Sequence, residues 1–96
     1  MDRRRFLVCY DICNPKRLRR VEKMVKSYGT RIQFSVFECA LDGIRLAQLR
    51  QNLSEIINAE LDQVMFVSLG PEAGASSFRI ETVGLPYELR SRVTIL

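Results

Sequence analysis

Hydrophobic and polar positions along the chain switch between a period of two and a period near four, and the switch points mark its elements. Residues 4–11 form a nearly continuous apolar run that includes Phe6, Val8 and Tyr10, which suits a central strand covered on both faces. Asn14 followed by Pro15 reads as a helix start: the side chain accepts a free backbone N–H, and the ring fixes the first helical φ. From there to about Ser27, Leu18, Val21, Val25 and Tyr28 recur at helical spacing as the buried stripe, and Gly29 reads as the residue that closes the helix. Residues 31–41 read as a second, longer strand with Ile32, Phe34 and Val36 toward the core and Arg31, Gln33, Ser35 and Phe37 on the other face. Asp42 and Gly43 make a turn, after which Leu46, Leu49, Leu53, Ile56 and Ile57 mark a second amphipathic helix to about Asn58. Strands are expected at 62–69 and 78–83 with a Gly-, Ser- and Ala-rich loop between them. Beyond Gly84, Leu85 and Pro86, residues 92–96 read as a short tail strand of the kind that pairs with a sheet edge, its own or a partner's.

Taken in order, these segments give strand, helix, strand, helix, strand, strand. A ferredoxin-like βαββαβ count follows only if residues 31–41 break near Glu38 and Cys39 into a hairpin-like pair, or if the strand at 62–69 precedes the second helix. The 96 residues, 47% of them hydrophobic, suffice for one α+β domain spanning 1–96 and one small core. A domain of this size buries a modest fraction of its surface, and a partner subunit, a second copy among the options, would add stability.

Charge sharpens this picture through its placement. Residues 1–50 hold 12 basic and 5 acidic side chains, a balance of +7, while residues 51–96 hold 3 and 6, a balance of −3. One basic face and an anionic partner such as nucleic acid follow, with a merely solvated basic surface as the alternative. Cys9, Cys13 and Cys39 lack the spacing of a zinc or redox motif and read as small core hydrophobes in a reducing cytoplasm. The apolar run that follows Arg3, Arg4 and Arg5 ends at Asp11, too short for a signal peptide or a membrane span. The chain contains no histidine, so hydrolytic chemistry here would need carboxylates and a metal.

Three constellations carry that chemistry. Tyr10 and Asp11 stand at the carboxyl end of the first strand, where open α/β sheets hold ligands. A structural role for Asp11 as helix cap competes with this, but Asn14 already fills that role. Magnesium binds through one or two carboxylates plus waters and phosphates, and a two-fold dimer that paired two copies of Asp11 would supply them. Lys16, Arg17, Arg19, Arg20, Lys23 and Lys26, opposed only by Glu22, suit a phosphate backbone and show no base-reading pattern. Arg31, Gln33, Ser35 and Phe37 suit a dimer face or a nucleic-acid platform. An RNA-recognition sheet is disfavoured, because residues 64–69 lack the basic and aromatic pattern that stacks bases.

Tyr10-Asp11, the Arg17 to Val21 segment and above all the block from Tyr28 to Glu38 resemble successive signatures of the CRISPR-associated core protein number two family. The resemblance continues through Leu69-Gly70, Val83 to Pro86 and Ile95-Leu96. It implies a ferredoxin-like subunit and a symmetric homodimer with tail strands, residues 85–96, exchanged between protomers. It implies a CRISPR adaptation role with the CRISPR integrase on duplex DNA, and magnesium-dependent endonuclease activity on DNA or single-stranded RNA. Asp11 would hold Mg2+ and, with Tyr10, carry the catalysis. Arg17, Arg19, Arg20, Arg31 and Phe37 would contact nucleic acid. Ser68 departs from the basic residue that many relatives place there. A toxin-like ribonuclease of related fold is the alternative function.

Overall fold

The computed structural model describes residues 2–72 and 81–84. Its elements run β1 (Arg4–Asp11), α1 (Pro15–Lys26), β2 (Gly29–Gln33), β3 (Val36–Leu41), α2 (Gly43–Ile56) and β4 (Gln63–Pro71). The strands form one antiparallel sheet in the order β2-β3-β1-β4. This is the ferredoxin-like βαββαβ arrangement, an α+β fold in which both helices cover one face of the sheet.

Residues 31–41 do not form one strand. The break falls at the turn of Phe34 and Ser35, ahead of the expected Glu38-Cys39, and it shifts the alternation by one residue. As a result Phe37, expected on the outer face, is completely buried, whereas Phe34, expected inside, is 69% exposed. Asp42 is also more than a turn residue: its carboxylate accepts the Arg45 backbone N–H at 2.8 Å and caps α2, which therefore starts three residues before Leu46. The strand expected at 78–83 lies largely outside the described residues, as does the tail at 85–96. The described Glu81 to Gly84 form no strand.

α1 begins as its sequence dictates. The Asn14 side chain accepts the Lys16 and Arg17 backbone N–H groups at 2.9 and 3.0 Å, and Pro15 takes the first helical position. Ser27 closes it with an ordinary right-handed φ, so Gly29 is not the left-handed cap that helix ends favour. Gly29 instead opens β2 where a Cβ would collide with the Glu38 carbonyl oxygen and come within 2.5 Å of the Cys39 sulfur. The other glycine with a clear backbone role is Gly70, whose φ of 102° accompanies the bulge opposite Arg5 and Phe6.

The core lies between sheet and helices. Phe6, Val8 and Tyr10 of β1 meet Phe37, Cys39 and Leu41 of β3, Val21 and Val25 of α1, and Leu49 and Leu53 of α2. Strand alternation then directs Arg5, Leu7, Cys9 and Asp11 to the opposite face, which no helix among the described residues covers. Their cross-strand partners Glu38 and Ala40 on β3 and Gln63, Met65 and Val67 on β4 share it. Met65 is 50% exposed, and an ion pair of 2.9 Å joins Arg5 to Glu38 across this face.

Candidate nucleic-acid site around Asp11

The last residue of β1 carries an exposed carboxylate. Asp11 ends the strand on the helix-free face, opposite Gln63, and the next three residues lead directly into the capped start of α1. Lys16, Arg19, Arg20, Lys23 and Lys26 are exposed along that helix. One carboxylate and one strongly cationic helix are thus tied together by a three-residue turn.

The other sequence-selected residues fall on the far side of the sheet. Tyr10 faces the helices, and its O–H lies 3.1 Å from Glu22 Oε2 and 3.2 Å from the Phe34 carbonyl oxygen. Burial, reinforced by the negative charge of Glu22, holds the phenol protonated well above the ordinary tyrosine range. Arg31 donates to the same Glu22 oxygen at 3.2 Å and lies over the rings of Phe37 and Phe34. Tyr10, Glu22, Arg31 and Phe37 therefore form one packed cluster beneath the sheet. Phe37 presents no ring to solvent.

Arg17 is placed differently again. Its Nε and Nη2 donate to Asp62 at 2.7 and 3.2 Å, whereas among the described residues no ion pair engages Arg19 or Arg20. The Asp62 side chain is fully buried and also accepts the backbone N–H groups of Cys13 and Asn58, both at 2.9 Å. The Arg17 hydrogen bonds, helped by those two amides, hold its carboxyl well below the usual carboxylate range.

Sequence reasoning missed the roles of Glu22 and Asp62. Glu22 carried a signal, being the one acid among six cations on α1, but Asp62 lies 45 residues from Arg17 and nothing local announces the pair. Cys13 is also not the core residue expected: it is exposed, and its thiol donates to the Leu61 carbonyl oxygen at 2.9 Å. Cys39 is buried, which pushes its thiol up to about 11, with the Glu38 charge adding to the effect.

Among the described residues no three acidic, cysteine or histidine side chains gather into a metal-binding group. The donor set at Asp11 is a single open carboxylate. That fits magnesium as half a site, completed by a second carboxylate or by substrate phosphates. A separate cleft of about 440 Å³, lined by Arg3, Arg5, Glu38, Arg45 and Glu72, lies at the opposite end of β1. No helix among the described residues is long and apolar enough to cross a membrane.

A small ferredoxin-like subunit with a carboxylate at the end of its first strand and a cationic first helix defines the class. The chain belongs to the family of CRISPR associated protein Cas2, whose model matches residues 4–74. It is 38% identical to the CRISPR-associated endoribonuclease Cas2 1 of Rhodospirillum rubrum over 95% of this chain and 88% of that protein. The crystal structure of Streptococcus pyogenes Cas2 at pH 6.5 superposes with a TM-score of 0.69 at 33% identity, covering 83% of this chain and 99% of that one. A chain of a partial Cas6-RT-Cas1–Cas2 complex superposes with a TM-score of 0.59 at 26% identity, covering 69% and 78%.

Proposed function

We propose that this protein acts in CRISPR adaptation as a homodimer that holds nucleic acid for the integrase Cas1, and that Asp11 supports magnesium-dependent phosphodiester hydrolysis. The observation that carries the reading is the exposed Asp11 carboxylate on a helix-free sheet face, three residues from the cationic α1. The helix-free face, with Leu7, Cys9, Met65 and Val67 around the Arg5–Glu38 pair, offers one self-complementary surface, as a two-fold dimer requires. Packing through it sets two Asp11 carboxylates in one cleft and leaves both cationic helices outside.

Lys16, Arg19, Arg20, Lys23 and Lys26 then bind phosphates through charge, without reading sequence. Bound magnesium would supply an activated water and neutralise charge on the phosphate under attack. Asp11 would hold and orient that centre, while Tyr10, kept protonated by burial and by the Glu22 charge, braces the strand end and takes no part in proton transfer. The family relationship and the Cas1 present in the superposed complex support the partner.

Asp11→Ala tests the reading. Metal-dependent cleavage should fall at least about a hundredfold, with duplex affinity at low salt unchanged. Unchanged cleavage in that variant removes the metal site, and absence of duplex affinity, with or without Cas1, removes the adaptation role. Cleavage of RNA alone without duplex affinity favours the toxin-like ribonuclease.

A further inference from the structure

Asp11 stands between two anchored neighbours. On one side Tyr10 is tied to Glu22 and to the turn of Phe34; on the other, the Cys13 N–H is tied to Asp62. Four N–H groups converge on the Asp62 carboxylate from three segments: Cys13 from the turn after Asp11, Nε and Nη2 of Arg17 from α1, and Asn58 from the turn after α2. A carboxylate so filled with donors is fixed in place and has little capacity left for a metal. The Arg17 guanidinium meets it through two nitrogens, a geometry that specifies direction as well as distance. A phosphate taking that edge of Arg17 would strip a fully buried carboxylate of its cation, which is strongly unfavourable.

We infer that Asp62 and Arg17 form a clamp that sets the position of Asp11, so that Arg17 is a positioning residue acting through Asp62 and not a phosphate contact. The inference rests on the reading of Asp11 as the metal-holding carboxylate. It separates the first-helix arginines into two jobs: Arg17 fixes the turn, and Arg19 and Arg20 meet the ligand.

The test compares Arg17→Ala, Arg17→Lys, Asp62→Ala and the Arg17→Ala/Asp62→Ala double variant with Arg19→Ala. In metal-free buffer, the slope of log duplex affinity against log salt should drop by about 0.9 per protomer, about 1.8 for the dimer, for Arg19→Ala and stay unchanged for Arg17→Ala. With magnesium, Arg17→Ala and Asp62→Ala should lower kcat by about ten- to a hundredfold with KM within about twofold. The double variant should be no worse than Asp62→Ala alone. Arg17→Lys should fail to rescue, because one ammonium cannot span both carboxylate oxygens. A slope lowered by about 0.9 per protomer in Arg17→Ala together with rescue by lysine would assign Arg17 to phosphate and overturn the clamp. If the wild-type protein cleaves nothing, the reading of Asp11 fails separately. The clamp is then judged by hydrogen exchange at the Cys13 amide, which should speed up about tenfold or more in Arg17→Ala; unaltered exchange there overturns it.

Discussion

The phenol of Tyr10 is buried beside the Glu22 carboxylate, and both circumstances favour its neutral form. A folded-state pKa raised above the unfolded value gives stability that is complete below about pH 10 and is lost as pH climbs from there through the folded value. Alkaline unfolding followed by circular dichroism should therefore be steeper for the wild-type protein than for Tyr10→Phe. At neutral pH the same variant should cost about 1.5 kcal/mol, the worth of a hydrogen bond to a charged group. Asp62 works in the opposite direction. Its lowered pKa gives stability that is present above about pH 4 and drains away as pH falls through the folded value. Asp62→Asn should flatten the acid limb of the stability curve while lowering the neutral plateau; an unchanged acid limb would show that the carboxylate is not held by Arg17. The place of Asp11 at the end of β1 and the exposure of Arg19 and Arg20 were legible at this scale because end-of-strand position and local charge show in a sequence. The pairing of Arg17 with Asp62 was not, because only the fold brings residue 62 to residue 17.

The strand-to-helix turn and the β2–β3 hairpin show what sequence patterning resolves in whole elements. Asn14 and Pro15 announced α1, and the structure places the cap there. Asn14→Ala should cost about 1 kcal/mol in urea unfolding, the usual worth of an N-cap. The hairpin was harder to read, since Phe34 and Ser35 carry neither the glycine nor the asparagine that marks a tight turn, and the apolar alternation continues across them. Missing that turn displaced Phe37 from core to surface in the sequence reading. It also put Phe37 among the residues expected on a dimer or nucleic-acid face, from which its burial removes it. At Gly29 the close approach of β3 explains the residue type: a methyl group there runs into the Glu38 carbonyl. Gly29→Ala should destabilise the fold by about 1–3 kcal/mol, as overpacking at a site with no room does, and a neutral effect would mean that β2 does not lie this close to β3.

For the molecule as a whole, the sheet separates two surfaces. Its helix side holds the core and the Tyr10–Glu22–Arg31 cluster; its open side holds Asp11 and an apolar surface with Met65 half exposed. Met65→Glu should move the proposed dimer to monomer in sedimentation equilibrium and weaken duplex affinity, because in that proposal the two cationic helices then no longer share one ligand. The lopsided charge of the chain foretold the cationic helix, whereas the open face became visible only once the strand order was known.

The central claim is that two copies of Asp11 from two protomers hold one divalent ion against a phosphate. Titration of manganous ion, followed by electron paramagnetic resonance, into the protein bound to a non-hydrolysable duplex tests it most directly. One ion should bind per two chains, and that binding should vanish in Asp11→Ala. A stoichiometry of one ion per chain, or binding that survives the substitution, would contradict the account.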